Sequence, residues 1–109
     1  MENIDYLGVV FGIVEWNKET FPDWTAGKQE MKAYKEFQEY DKEMVLVGKG
    51  DMDAIPRSRD ELSDVIISYI GLLKYPEVLN AVKAKMKKNI KRTWKDGQHI
   101  EENGHDTKH

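Results

Sequence analysis

The sequence contains no cysteine, and this absence removes a group of chemistries at once. Disulfide bonds, thiol nucleophiles and zinc sites built on sulfur are excluded, and the composition is compatible with a reducing compartment. No apolar run reaches the roughly 20 residues that a membrane-spanning helix needs. The N-terminal residues also lack the basic start of a secretory signal. We therefore expect a cytoplasmic protein without a membrane partner.

The sequence also lacks an excess of positive charge. It has 17 Lys and Arg against 20 Asp and Glu, a net charge of -3. Proteins that bind nucleic-acid polymers usually neutralise phosphates with a basic surface, so we expect no such partner here. A phosphate-binding loop of the GxxxxGK[ST] type is missing as well, which excludes a P-loop nucleotide site. Single nucleotides whose charge is screened by a metal ion remain possible ligands.

The residues that are present favour an all-α fold. The chain has 109 residues, of which 34% are charged and only three are proline, as expected for one helical domain. Apolar residues recur at spacings of three and four, which predicts four helices and no sheet. The predicted helices cover residues 4–19, 26–48 and 58–73, with a fourth beginning at Pro76. Residues 1–97 are expected to form the domain, and residues 98–109 a flexible polar tail.

Particular residues mark the predicted helix ends. Thr25 can cap the second helix, and the glycines around Lys49 can end it in a left-handed conformation. Residues 51–57, including Pro56, are expected to form a loop. Ser58 and Glu61 have the spacing of a capping box, which predicts that the third helix begins at Ser58. The fourth helix is expected to bury a core stripe: Val78, Leu79, Val82, Met86 and Ile90.

The most informative feature is a pair of acidic turns, each within a predicted helix. Residues three apart lie on one helix face, so Glu36 and Glu39 face the same way, as do Glu61 and Asp64. If the two helices pack face to face, the four carboxylates converge and repel one another unless a cation is present. Oxygen ligands of this kind suit Mg²⁺, for which Mn²⁺ can substitute, and such sites commonly serve phosphate chemistry.

Each of these features also has a plain structural explanation. Acidic pairs at helical spacing are common on solvated surfaces, and Glu61 has a role as a capping-box residue. Trp16 is as compatible with core packing as with stacking on a base. Lys85 and Arg92 belong to a helix that is rich in lysine throughout. His99, His105 and His109 have no ligand spacing, so no role is assigned to them.

The order of these residues resembles a known family. An ExxE pair, an ExxD pair after about twenty residues, and a Lys-x-x-x-Asn-x-x-Arg-x-Trp string resemble the MazG-like all-α nucleoside triphosphate pyrophosphohydrolases. The segment from Trp16 to Glu39 further resembles the phage dATP/dGTP diphosphohydrolase group that includes MazZ. The family's first motif usually begins with two glutamates, and Lys35 stands where the first is expected. The string in this chain consists of Lys85, Asn89, Arg92 and Trp94.

This resemblance implies a four-helix MazG-like bundle that hydrolyses nucleoside triphosphates to monophosphate and pyrophosphate. The four carboxylates would hold one or two Mg²⁺ ions, and a nearby carboxylate would take the proton of the attacking water. The phosphates would contact the cationic string, and the base would contact Trp16 and Phe21. The phosphate-binding residues implied in this way are Lys85, Asn89 and Arg92.

The same resemblance implies substrate, setting and assembly. Purine deoxynucleotides are the expected substrates, with dGTP preferred over dATP, in remodelling of a nucleotide pool within a phage-infected host cytoplasm. A homodimer or homotetramer is expected. Two alternatives stay open: a dUTP or dCTP pyrophosphatase of the same superfamily, and a non-catalytic helical module that binds a partner protein.

Overall fold

The computed structural model describes residues 5–100, and within them the fold is all-α apart from one short hairpin. The chain forms two compact units that divide between Pro76 and Glu77. No helix in the described part of the chain is by itself long and apolar enough to cross a membrane. The elements are α1 (Tyr6–Thr20), α2 (Ala26–Gly48), α3 (Ala54–Gly71), a 3₁₀ turn (Leu72–Lys74), α4 (Pro76–Lys91), β1 (Thr93–Lys95) and β2 (Gln98–Ile100).

The ends of α2 confirm two sequence predictions. Thr25 caps the first turn, because its hydroxyl accepts a hydrogen bond from the Lys28 amide at 3.2 Å. After the helix ends at Gly48, Gly50 adopts φ of +93°, a left-handed conformation that glycine takes without a steric cost. The Asp51 amide then donates to the Leu46 carbonyl at 3.0 Å, which turns the chain back toward α3.

The predicted start of α3 is wrong. The helix begins at Ala54, four residues before Ser58, and Pro56 lies inside its first turn. Proline is tolerated there because the first amides of a helix have no intrahelical acceptor. Ser58 is therefore an interior residue, and its hydroxyl donates to the Ile55 carbonyl at 2.7 Å. Because Ser58 is not a cap, a capping box does not account for the presence of Glu61.

Helices α2 and α3 form an antiparallel pair. Gln29, near the start of α2, bonds Ser68 near the end of α3, and Glu43 bonds Arg57 at the opposite end. On each helix the buried or half-buried contact residues recur at alternating steps of four and three, the spacing of a coiled-coil interface. We call these two rows the seam. On α2 they are Gln29, Ala33, Glu36, Tyr40, Glu43 and Val47; from α3 onward they are Ala54, Ser58, Glu61, Val65, Ser68 and Leu72.

Half of the seam residues are polar, which is unusual for positions that face a partner helix. The buried apolar core is correspondingly small and consists of Ala33, Ala54, Val65 and Leu72. The large apolar residues of α2 lie largely outside the seam, since Met31, Tyr34, Phe37 and Met44 are exposed. Large apolar side chains are therefore on the surface of the single chain, while polar ones occupy the contact between its two longest helices.

The second unit differs from expectation in two ways. Most of the predicted core stripe of α4 is exposed in the single chain, from 39% at Leu79 to 76% at Ile90, while Val78 is half-buried. The residues after α4 were expected to lack a sheet, but β1 and β2 pair as an antiparallel hairpin. Its turn places Asp96 and Gly97 at φ of 51° and 77°, the positive values that a two-residue Asp-Gly turn favours. The remaining tail, with His105 and His109, lies outside the described residues.

Candidate metal and nucleotide site

Three of the four predicted metal ligands converge across the seam. Glu36 from α2 and Glu61 and Asp64 from α3 each contribute one carboxylate oxygen, and these oxygens lie within 4.8 Å of one another. The helices bring them together because Glu36 and Glu61 are both seam positions, while Asp64 follows Glu61 by one helical turn. Three hard oxygen donors at this separation are the type of ligand set that Mg²⁺ or Mn²⁺ takes.

The electrostatics of Glu61 reflect this crowding. Desolvation raises the pKa of its carboxyl group above the ordinary value, and the neighbouring charges of Asp64 and Glu36 raise it further. Glu39 and Asp60 add smaller effects in the same direction. The protein thus holds Glu61 where its negative charge is unfavourable in the absence of a cation.

Glu39 has a different environment from the other three carboxylates. It is exposed and forms an ion pair with Lys42 at 3.3 Å, although its charge still contributes to the raised pKa of Glu61. Glu36 also has a cationic neighbour, because Lys32 approaches it at 3.1 Å. Lys35 is exposed. The convergent group in the structure therefore has three carboxylates, and Glu39 stays a predicted fourth.

A cavity of about 120 Å³ opens beside the carboxylates. Its walls combine aromatic and aliphatic surface with polar groups, the mixture found in small-molecule sites. Glu36 and Asp64 belong to both the cavity and the metal-ligand group. We call this space the α1–α3 cavity; it is lined by Trp16, Asn17, Phe21, Gln29, Lys32, Glu36, Asp64, Ile67 and Ser68.

Both predicted base-binding residues line this cavity. The rings of Trp16 and Phe21 meet edge to face, with centroids 5.8 Å apart. Phe21 also stacks on Trp24, with ring centroids 4.2 Å apart, and this contact fixes the position of the Phe21 ring. Trp16 is 48% exposed, so core packing does not account for it. An aromatic ring that lines a cavity and is held by a second ring can stack on a planar ligand.

Two buried amides in the cavity wall have unpaired oxygens. Asn17 is 1% exposed and Gln29 is fully buried, yet neither side-chain oxygen accepts a hydrogen bond from any described residue. The Gln29 amide nitrogen donates to the Ser68 carbonyl at 3.1 Å, which fixes the orientation of that group and leaves Oε1 as the unpaired atom. Leaving such an acceptor unsatisfied costs about 1 to 3 kcal/mol, so each oxygen requires an explanation.

Gly71 makes room for this pair of amides. A methyl group at its Cα would lie 2.5 Å from Asn17 Nδ2 and 3.3 Å from Gln29 Nε2. Because both side chains are buried, neither can move aside easily. Gly71 is therefore needed for close approach of the α3 backbone to the two amides, rather than for an unusual backbone angle.

The end of α1 is held against the same region. Lys74, from the 3₁₀ turn, donates to the Phe21 carbonyl at 2.9 Å and the Asn17 carbonyl at 3.5 Å. Asn17 is in the last turn of α1 and Phe21 is its C-cap, so Lys74 holds the end of this helix. Partial burial lowers the pKa of the Lys74 amine. This contact fixes the segment that carries both Asn17 and Phe21.

The predicted phosphate-binding string forms local contacts within the second unit. Arg92 donates to the Asn89 side-chain oxygen at 3.2 Å, and the Trp94 indole donates to the Asn89 backbone carbonyl at 2.9 Å. The Trp94 bond satisfies one of the last carbonyls of α4, just before the chain enters the hairpin. Lys85 is exposed, and its amine forms no ion pair or hydrogen bond with other residues in the range 5–100.

Sequence patterns alone did not indicate that two amides are buried with unpaired oxygens. Asn17 follows Trp16 on a helix whose composition suggests only apolar contacts, and no spacing rule marks it. Gln29 gave a detectable signal, because it stands seven residues before Glu36 and therefore occupies an equivalent position on the same helix face. The chain matches no protein-family model, no curated protein and no solved structure.

Proposed function

We propose that this protein is a metal-dependent nucleoside triphosphate pyrophosphohydrolase that acts on purine deoxynucleotides and releases pyrophosphate. The observation that carries the proposal is the position of the carboxylate group at one side of the α1–α3 cavity, where Glu36 and Asp64 belong to both. A nucleotide has the matching arrangement, with a planar base at one end and phosphates that require cations at the other.

The donor set fits a divalent cation of the Mg²⁺ type. Glu36, Glu61 and Asp64 would hold it, with Glu39 as a predicted further ligand. When bound, such an ion supplies charge neutralisation at the phosphates and a lower pKa for a water molecule. The carboxylates of this chain would orient the triphosphate, and one of them would accept the proton of the attacking water.

The base would occupy the α1–α3 cavity. Trp16 would stack on it, and Phe21 would hold Trp16 edge-on. The assignment of Lys85, Asn89 and Arg92 to the phosphates stays a prediction from the sequence. In that role the two cations would balance charge on the leaving pyrophosphate, and Asn89 would donate from its amide nitrogen, since its oxygen already accepts from Arg92.

Association of two or more copies is part of this proposal. Large apolar side chains of α1 are exposed, among them Leu7 at 82% and Phe11 at 63%. Met31 and Tyr34 of α2 are more than half exposed as well. Surface of this kind supports a homodimer or homotetramer. Light scattering at micromolar concentration should give at least twice the monomer mass. A mass equal to that of the monomer would contradict the proposed association.

The direct test is pyrophosphate release from a panel of nucleotides. The protein should hydrolyse dGTP and dATP with Mg²⁺ present and lose this activity with a chelator, with dTTP, dCTP and dUTP as poorer substrates. Glu30→Gln, an exposed change on α2 outside the seam, is the matched control for substitutions at the carboxylates. A pyrimidine preference would favour the dUTP or dCTP alternative. Absence of release from every nucleotide would favour a helical interaction module.

A further inference from the structure

A row of lysines follows one face of α2, directly before the first residue of the carboxylate group. Lys28, Lys32 and Lys35 are separated by four and three residues, so their side chains project from the same side of the helix. Lysines at these separations repel one another, and a helix gains no stability from bringing them together. The row therefore requires an explanation, as the crowded carboxylates do.

The three lysines line an open groove of about 360 Å³. Lys32 and Glu36 line both this groove and the α1–α3 cavity. Glu36 also belongs to the carboxylate group, so the groove and the proposed metal site share a side chain. We call this space the lysine groove; it is lined by Trp24, Lys28, Met31, Lys32, Lys35 and Glu36.

The described residues do not neutralise the charge of Lys35. Its side chain is exposed, and its amine forms no ion pair or hydrogen bond with any residue that the structure describes. Glu39, one turn further along α2, has the spacing to pair with it, yet Glu39 pairs with Lys42 at 3.3 Å. Lys32 differs from Lys35, because it approaches Glu36 at 3.1 Å. The lysine groove consequently keeps a surplus of positive charge.

Lys28 adds to this surplus at the start of the helix. Its amine lies 5.0 Å from the centre of the Trp24 ring, a cation–π contact that positions the charge without neutralising it. Lys28 belongs to the first turn of α2, where the helix dipole is positive and no acidic side chain offsets it. The groove therefore attracts an anion through two amines and through the positive end of a helix.

The length of the row indicates the kind of anion. From Lys28 to Lys35 the helix rises about 10 Å, and each amine carries three donors on a flexible stem. A carboxylate offers one charge and two adjacent oxygens. A diphosphate carries several anionic oxygens along its length, so it can accept hydrogen bonds from successive lysines. One end of it would also lie beside Glu36, close to the cation that this residue would help to hold.

We propose that the lysine groove binds a diphosphate group, and that Lys28 and Lys35 donate hydrogen bonds to its oxygens. This inference rests on the proposed function, in which the diphosphate is the β- and γ-phosphates of the substrate before hydrolysis and free pyrophosphate after it. The sequence resemblance assigns the phosphates to Lys85, Asn89 and Arg92 of the second unit, and the lysine groove contains none of these residues. It is therefore a separate phosphate contact, supplied by the first unit.

The first experiment measures the binding of inorganic pyrophosphate to the full chain by isothermal titration calorimetry, at a fixed concentration of Mg²⁺. Lys28→Gln and Lys35→Gln should each weaken the affinity about three- to tenfold, because each removes one cation from the groove. Glutamine has nearly the helix propensity of lysine, so the variants should fold, and melting temperatures check this. The matched control is Lys49→Gln, which removes the same charge at the end of α2, about 20 Å from Lys35.

The control should bind pyrophosphate as the wild-type protein does. Wild-type affinity in both groove variants would overturn the inference. Absence of pyrophosphate binding to the wild-type protein would overturn it as well.

A second arm distinguishes the two sources of the diphosphate. The analogue α,β-methylene-dGTP carries the β- and γ-phosphates and resists cleavage next to the α-phosphate, whereas dGMP lacks both terminal phosphates. If the groove holds the terminal phosphates of a bound nucleotide, the groove variants should bind the analogue about three- to tenfold more weakly and bind dGMP normally. A loss confined to pyrophosphate would assign the groove to the released product. An equal loss for dGMP would contradict both assignments, because dGMP has no diphosphate.

These binding measurements do not depend on turnover, so they separate this inference from the proposed function. If no nucleotide is hydrolysed but the groove variants lose affinity for pyrophosphate, the diphosphate site stands and only the proposed function fails. If dGTP is hydrolysed and both groove variants bind pyrophosphate and the analogue as the wild-type protein does, the proposed function stands and the diphosphate site is wrong.

Discussion

The seam and the end of α4 both contain buried or half-buried polar side chains, but these side chains differ in whether they have hydrogen-bond partners. At the end of α4, Asn89 accepts from Arg92 through its side chain and from Trp94 through its backbone. At and next to the seam, the side-chain oxygens of Asn17 and Gln29 have no partner among the described residues, and three carboxylates lie close together. Hydrogen bonds within the second unit therefore account for the polar groups at the end of α4. At the seam, the unpaired oxygens and the crowded carboxylates are the features on which the proposed function rests.

The largest effect that this comparison predicts is on catalysis at the carboxylates. Asp64→Asn and Glu61→Gln each remove a charged ligand from the group, so kcat/KM for dGTP should fall by at least about 100-fold. Circular dichroism should remain helical, and Glu30→Gln should keep wild-type activity. Near-wild-type turnover by both carboxylate variants would remove the basis of the catalytic assignment.

A smaller effect is expected at Lys85. If this exposed cation meets the phosphates, Lys85→Ala should raise KM for the triphosphate by about tenfold, which corresponds to one charge-assisted hydrogen bond. Lys87→Ala, a neighbouring exposed lysine outside the motif, is the matched control. Steady-state kinetics with dGTP distinguish the two. Equal KM values for both variants would mean that Lys85 is an ordinary surface lysine.

The repulsion at Glu61 predicts a stability effect with a defined sign. Its pKa is raised in the folded state, so the folded protein retains the proton more readily than the unfolded chain. This contribution to stability is present below the ordinary glutamate pKa and is lost as the pH rises through the raised value. In a chelator, Glu61→Gln should therefore have a higher melting temperature than wild type at pH 7, and the difference should shrink at pH 4. A lower melting temperature at pH 7 would contradict the account.

The smallest predicted effect is local to the second unit. Asn89→Ala removes the acceptor of Arg92, which should cost about 0.5 to 1.5 kcal/mol and reduce hydrogen-exchange protection at the end of α4. Protection in α2 and α3 should not change. Unaltered protection throughout α4 would show that the Asn89 side chain has no structural role there.

The sequence predicted the helical framework because the signals were local. Thr25 capped α2 as expected, and Gly50 took the left-handed conformation that ends that segment. The predicted start of α3 is wrong because Pro56 favours a loop in the sequence pattern, although proline is also compatible with a first helical turn. The sequence does not predict the hairpin, because its strands have only three residues each and its second strand lies in the stretch expected to be a flexible tail.

The site was only partly predictable for a physical reason. Spacing along a helix shows which residues share a face, so Glu36, Glu61 and Asp64 could be grouped before the fold was known. Spacing does not show which polar groups lack partners, because that depends on every neighbour in three dimensions. Asn17 illustrates the difference: its importance follows from its burial and its unpaired oxygen, neither of which a pattern in α1 records.

Binding of Mn²⁺ measured by electron paramagnetic resonance tests the central claim most directly, because it detects the metal site without substrate or turnover. Titration of the metal-free protein should show saturable binding that Mg²⁺ displaces, that Asp64→Asn and Glu61→Gln weaken at least about tenfold, and that Glu30→Gln leaves unchanged. No saturable binding, or equal affinity in all four proteins, would contradict the claim that Glu36, Glu61 and Asp64 form a metal site beside the α1–α3 cavity.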